Sequence, residues 1–401
     1  MTVQRFASLW RSLTPIGRDA MTGGYLRYAW SEAELACREW FVEEALDREL
    51  TLDTDRNGNL WAWWGDPAAG DAVVTGSHFD SVPHGGAFDG PLGIVSALLA
   101  VDLLRERGVR PSRPIGIVAF AEEEGSRFGV ACLGSRLLTG TISAQRARSL
   151  VDSDGVSLAR ALGEDAASLG AEPDRLARLG AFVELHIEQG RALVDLGRPV
   201  GVATAIWPHG RWRMDFTGEA NHAGTTSMSD RHDPVLTFAY TVLAANKEAR
   251  LASAYATVGR VNVEPNATNA IAAEVTGWLD ARAAEQSTLD SVVEAVRRRA
   301  EDRAQRDGTT VTMTPESVTP VTAFDKDLTD RIVETLGGAP TLPTGAGHDA
   351  GVLAAWGVPT AMLFVRNPTG VSHSAAEHAT DVDCAGGVEA LATVLQDLAC
   401  R

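Results

Sequence analysis

Residues 76–93, GSHFDSVPHGGAFDGPLG, constrain this chain more than any other stretch. They set His78, Asp80 and Asp89 around a glycine-rich turn, with the β-branched run DAVVTGS before it and the apolar run IVSALLAVDLL after it. A strand that enters a loop and leaves as a helix delivers the loop to the carboxyl edge of a parallel sheet. Alternate strand positions point the same way, so His-x-Asp suits a metal-binding imidazole held by a carboxylate two residues on. Alone, such a set fits a solvated turn equally well.

Three further segments repeat the pattern. PIGIVAFAEEEG (114–125) is an apolar strand-like run ending in Glu122, Glu123 and Glu124. Adjacent carboxylates at the end of a buried strand repel one another and lose hydration, so they need nearby cations or a proton. AFVELHIEQG (181–190) puts His186 between Glu184 and Glu188, and GVSHSAAEH (370–378) puts His373 in a small-residue loop. Each histidine alone reads as a surface or core residue. Four such sites at the ends of strand-like runs point to one shared centre.

The chain resembles the M20 family of dinuclear metallohydrolases, in the branch of allantoate amidohydrolases, N-carbamoyl-L-amino-acid hydrolases and β-ureidopropionases. GSHFDSVPHGGAFDGPLG, AEEEGSRFG (121–129), LHIEQG (185–190), GEANHAGTTSM (218–228), TGAGHDAG (344–351) and SHSAAEH (372–378) carry the likeness, in the family's order and over nearly the whole chain. Phe79 stands where an aliphatic residue is expected and Thr344 where serine is; neither change removes a functional group.

The resemblance implies that Asp89 bridges two divalent ions, with His78 and His186 completing one set and Glu124 and His373 the other. Imidazole and carboxylate donors without a thiolate suit Zn, Mn or Co. Two ions roughly 3.5–4 Å apart can activate water and polarise a carbonyl. Asp80 is then the orienter of His78, and Glu123 the candidate general base and acid, with Glu122 the next suspect. His222 matches an oxyanion-stabilising histidine that reaches the partner subunit's site. Arg211, Asn269 and Arg282 match substrate-binding positions, and a guanidinium suits a substrate carboxylate. Gln189 could meet a ureido group, and His348 could line the carboxylate pocket. His84, His209, His232 and His378 read as loop or surface residues, and Trp61, Trp63 and Trp64 as core aromatics.

Organisation agrees. The 401 residues exceed what one growing core accommodates, so two domains are expected. Strand-like and helix-like runs alternate to about residue 205 and again from 318, the mark of a mostly parallel α/β sheet. Residues 206–317 instead run strand–helix–strand–strand–helix–strand, a split βαβ, ferredoxin-like order. The expectation is a discontinuous α/β catalytic domain, 1–205 with 318–401, carrying an inserted lid and dimerisation domain. Charged residues at 22%, hydrophobic residues at 45% and a net charge of −17 describe a globular protein poorly suited to nucleic acid or anionic membranes. The start MTVQRFASLWRSL lacks the apolar core of a signal peptide, and Cys37, Cys132, Cys384 and Cys400 are too dispersed for a zinc site or disulfide framework. A cytoplasmic homodimer is expected.

Three functions fit. Hydrolysis of a ureido (N-carbamoyl) bond, in allantoate or an N-carbamoyl amino acid, releases ammonia and carbon dioxide. An N-acyl-amino-acid deacylase or peptidase would use the same metals with another pocket. A non-catalytic binding protein has no use for the intact set His78, Asp89, Glu123, Glu124, His186 and His373. HIEQG with GAGHDA favours the first by resemblance, and the N-terminal stretch leans slightly to allantoate.

Overall fold

The apolar runs between helical segments pair into one large sheet. A computed structural model describes residues 1–400. Its first strands are β1 (Thr51–Thr54), β2 (Leu60–Trp64), β3 (Ala72–His78), β4 (Ile115–Phe120), β5 (Leu179–Ile187) and β6 (Val200–Ile206). Then come β7 (His209–Thr217), β8 (Asn221–His222), β9 (Tyr255–Glu264), β10 (Ala270–Ile271), β11 (Glu274–Arg282) and β12 (Thr310–Thr319). The last are β13 (Thr322–Ala323), β14 (Thr341–Thr344) and β15 (Thr360–Val365). The chain divides into two compact units, Met1–Thr204 with the stretch from Ala323 onward, and Ala205–Thr322.

The first unit holds a nine-stranded sheet in the order β1-β2-β4-β3-β5-β15-β6-β13, with β14 also on β6. Its centre is parallel: β3 pairs β4 and β5, and β15 pairs β5. Antiparallel strands flank this centre, β2 against β4 and β6 against β15. All of β3, β4 and β15 is buried, which is why these runs are apolar throughout rather than alternating. The helix Pro91–Glu106, with proline in its first turn, is likewise apolar nearly all round, and Leu92, Ile94, Val95 and Leu98 join the core beneath the sheet. Each such fully buried side chain contributes about 1.5–3 kcal/mol. Phe79 is part of this core, its ring edge-on to Trp40 and Phe41, so the aromatic at that position fills packing space. Asp102, the polar break in the run, is ion-paired to Arg48 at 2.8 Å.

Parallel pairing has one consequence for function: the loops after β3, β4, β5 and β15 leave the sheet at the same edge. His78 pairs with Phe120, and His186 with Phe364. Residues 78–89, 121–124, 186–189 and 366–378 therefore converge there.

In the second unit β12, β7, β11 and β9 form an antiparallel sheet in that order. Alternate residues Trp212, Met214 and Phe216 of β7, with Val275, Leu279 and Ala281 of β11, pack against Leu289, Val292 and Val296 of the helix Gln286–Asp307 and Ala245 and Ala249 of the helix Pro234–Leu251. The intervening residues Arg211, Arg213, Asp280 and Arg282 occupy the other face. β12 runs on to Thr319 past an irregularity at Pro315–Ser317, as a proline in an edge strand requires, so this unit ends beyond residue 317. Among the described residues, no helix is long and apolar enough to cross a membrane.

Candidate metal centre

Each expected donor from the first unit sits at the sheet edge. His78 closes β3 and His186 lies one residue from the end of β5. Their Nδ1 atoms bond backbone carbonyls, His78 to Asp80 at 3.0 Å and His186 to Ile187 at 2.8 Å. That leaves both Nε2 atoms facing Asp89 Oδ1, at 3.6 and 3.1 Å. The other oxygen, Asp89 Oδ2, lies 3.5 Å from His373 Nε2, which is also 3.5 Å from Glu124 Oε2. Two groups able to hold a metal ion thus share Asp89: His78, Asp89 and His186, and Asp89, Glu124 and His373. Gly90, with φ +86°, makes room for the first, since a Cβ there would lie 2.5 Å from the His78 ring. A third group, Glu184, His186 and His348, overlaps the first.

The surroundings differ in places from the sequence expectations. Asp80 meets His78 through its carbonyl; its carboxylate Oδ1 is 3.6 Å from the ring and accepts instead from the backbone N–H of Glu123 at 3.1 Å, while Oδ2 accepts from that of Glu124 at 2.9 Å. The carboxylate therefore braces the acidic corner, and a sequence-local pairing missed a tertiary one. Glu122 is turned away by its left-handed backbone (φ +53°), and its Oε1 accepts from the N–H groups of Arg127 and Phe128. Glu123 lies with Oε2 3.7 Å from His78 Nε2 and Oε1 3.4 Å from the Cys132 thiol. Gln189 donates to Asp89 Oδ2 at 2.8 Å, leaving its own carbonyl oxygen without a partner. His348 precedes the helix Asp349–Trp356, buried with its ring 4.5 Å from that of His186.

The other expected residues belong to the second unit. His222 is exposed on β8, paired with Ala270, and its Nδ1 accepts from the Gly224 N–H at 3.0 Å. The neutral ring then carries its proton on Nε2, where it can donate. The backbone N–H of Ala223, which follows His222, donates to the Asn269 carbonyl at 3.0 Å. Arg211 and Arg282 flank Asp280, at 3.7 and 2.9 Å, across the β7–β11 pair.

The family model for peptidase family M20/M25/M40 matches residues 74–397. An N-carbamoyl-L-amino acid amidohydrolase of Geobacillus stearothermophilus is 37% identical over 406 residues, 98% of each chain. An allantoate amidohydrolase of Escherichia coli is 33% identical, again over 96% of each. A hydantoinase/carbamoylase-family amidase from Burkholderia vietnamiensis superposes with a TM-score of 0.88 at 30% identity, covering 100% of this chain and 98% of that one. The chain belongs to the M20 family.

The electrostatics of this M20 centre call for cations. Burial opposes charge on His78, yet Glu123, Asp89 and Asp80 outweigh it and hold the imidazole well above its ordinary pKa. Burial also opposes charge on Asp89, but His186 and His78 keep it well below the carboxylate range. Burial, with like charges, raises Glu123 and Glu124 far above theirs. Burial and Asp80 push Glu122 to about 8; burial and Glu184 push Asp349 to about 8. A divalent ion between the donors would offset this crowding. The buried Nε2 atoms of His78 and His186, which find no hydrogen-bond partner, fit that role.

Sequence reasoning passed over several participants. Glu184, on the His186 side of β5, accepts from Ser77 at 2.9 Å and from the Ala350 N–H at 3.2 Å; its i, i+2 spacing from His186 was a usable signal. Asp349 follows His348 and accepts from Ser135. Nothing in the sequence marks Ser135 or Cys132.

Proposed function

We propose that this chain is a metal-dependent amidohydrolase that cleaves the ureido (N-carbamoyl) C–N bond of allantoate or an N-carbamoyl-L-amino acid, releasing ammonia and carbon dioxide. The carrying observation is the Asp89 carboxylate, one oxygen toward His78 and His186 and the other toward His373, with Glu123 beside them. Full-length likeness to amidohydrolases of both names supports the substrate class.

His78, Asp89 and His186 would hold one divalent ion and Asp89, Glu124 and His373 a second; bound there, Zn, Mn or Co would supply Lewis acidity and an activated water. Glu123 accepts the proton of the attacking water on a carboxylate oxygen and returns it to the leaving nitrogen. Asp80 keeps Glu123 and Glu124 in place through their N–H groups. Gln189, held against Asp89, offers its partnerless carbonyl oxygen to a ureido NH₂, and His348 helps shape the pocket. Arg211 and Arg282 bind the substrate carboxylate, with Asp280 fixing both guanidinium groups. Asn269 adds a polar contact, and His222 donates from Nε2 to the developing oxyanion.

The second unit acts as lid and dimerisation domain in this reading. Its helix Pro234–Leu251 leaves Leu243 70% exposed, and the edge strand β9 leaves Tyr255 61% exposed. An open strand edge beside exposed apolar side chains suits pairing with a second copy.

Ammonia release should be measured with allantoate, N-carbamoyl-L-amino acids and β-ureidopropionate, and release of the free amino acid with N-acetyl-L-amino acids. Release from one of the ureido compounds, with no cleavage of the N-acetyl ones, is expected. Cleavage of N-acetyl substrates alone would make the chain a deacylase.

A further inference from the structure

Glu377 lies four residues after His373, is 5% exposed, and has no role in the proposed chemistry. Its Oε2 accepts the backbone N–H of Phe88 at 2.8 Å and that of Asp89 at 3.1 Å. Ser372 lies between the two: its Oγ is 3.2 Å from Asp89 Oδ2 and 3.5 Å from Glu377 Oε1. Gly86 belongs to the same arrangement, since a Cβ there would fall 2.2 Å from Glu377 Oε2. The bare backbone of Gly86 therefore provides the space the carboxylate occupies.

We infer that Glu377 is a positioning residue that clamps the His373 loop onto the Asp89 loop and so sets the distance between donors contributed by opposite ends of the chain. His373 needs such support. Its side chain is 51% exposed, and its backbone has φ +55°, a left-handed conformation that is strained in a residue other than glycine. At the loop's other end the buried Asn367 accepts from the N–H groups of Thr369 and Gly370 and donates to the Val371 carbonyl. Asn367 shapes the loop internally; Glu377, together with the Ser372 hydroxyl, ties it to residues 88–89. The group Asp89, Glu124 and His373 draws on both clamped loops. The group His78, Asp89 and His186 takes two of its three donors from strand ends and depends on the clamp less.

The inference rests on the reading that Asp89 serves two ions, and Co²⁺ titration of the metal-free full chain, followed by visible absorption and metal analysis, tests both. In Glu377→Ala, and in Gly86→Ala, one of the two ions should bind roughly 10–100-fold less tightly, as for other residues that hold a ligand in place, while the other changes little. Glu377→Gln keeps an acceptor oxygen and should recover most of the loss. In the double variant with Glu377→Ala the two effects should sum to less than their separate values, because the carboxylate that the new methyl displaces is gone while only the Cβ at position 377, 2.5 Å away, remains in its path. A lower melting temperature with unchanged affinities for both ions would overturn the inference, as would additive effects of the two substitutions. If Glu377→Ala does not fold, Gly86→Ala and Glu377→Gln decide by the same criteria. A wild-type chain that binds one ion only would defeat the two-ion reading, and the clamp would then be judged on that ion's affinity.

Discussion

Asp80 Oδ2 accepts the backbone N–H of Glu124 at 2.9 Å, joining the loop after β3 to the acidic corner after β4. With Oδ1 on the Glu123 N–H, one buried carboxylate fixes both the candidate base and a candidate ligand. Asp80→Asn must turn an NH₂ group toward one of these N–H donors. Turnover and metal affinity should both fall roughly 10–100-fold, since Glu123 and Glu124 shift together. Steady-state kinetics beside a metal titration checks this. Normal values for both would leave Asp80 with its carbonyl contact to His78 as its only role.

Glu123→Gln retains shape but cannot take a proton, so turnover should drop about 10²–10⁴-fold with metal content unchanged. Glu122 has Oε1 engaged by two backbone N–H groups. Glu122→Ala, which removes that acceptor, should therefore lower stability more than turnover. The reverse ranking in parallel assays would move the base to Glu122.

Metal analysis after reconstitution with Mn²⁺, Zn²⁺ or Co²⁺ should approach two ions per chain, and His373→Ala should retain one, because His78, Asp89 and His186 remain. A fully active protein holding a single ion would rule out the two-ion mechanism.

Among the buried carboxyls raised in the folded chain, Glu122 goes from 4.5 to about 8, Asp349 from 3.8 to about 8, and Glu377 from 4.5 to about 7. In each, burial is the largest cause. Between their unfolded and folded values the unfolded chain binds fewer protons, so these groups contribute stability at low pH that is lost as pH rises through the window. His78, also raised, acts in the same direction. The metal-free protein should therefore lose melting temperature from about pH 5 to about pH 8, and the gap to the metal-loaded protein should widen, because bound ions offset the ionised carboxylates. Thermal melts with and without chelator across that range measure it. A gap that narrows with pH would contradict the assignment.

Sharing of sites in a dimer can be tested by mixing. Inactive His222→Ala and inactive Glu123→Gln chains, dissociated and reassociated, should form heterodimers with one intact composite site and about half of wild-type activity. Demonstrated heterodimers with no recovery would put His222 at its own subunit's site.

Much of this was legible in the chain. The apolar runs VVTGS, IGIVAF and AFVELHI become β3, β4 and β5 because a strand buried on both faces needs uninterrupted hydrophobic side chains. The alternation in RWRMDF becomes a β7 with Trp212, Met214 and Phe216 inside and the arginines outside, because one face of that sheet stays open. His78, His186 and the acidic triplet announced themselves by lying at the ends of such runs. What the chain could not announce is which atoms meet. A hydrogen bond between Glu377 and the Asp89 N–H spans 288 positions and leaves no periodic trace. Asp80, two residues from His78, looked like its partner by local spacing, but its carboxylate is satisfied by N–H groups some 43 and 44 residues away. Residue type and hydrophobic period determined the strands, their burial and the inventory of donors. The direction each donor faces was decided only by tertiary structure, because buried N–H groups and carboxylates must find partners wherever the sheet edge brings them together.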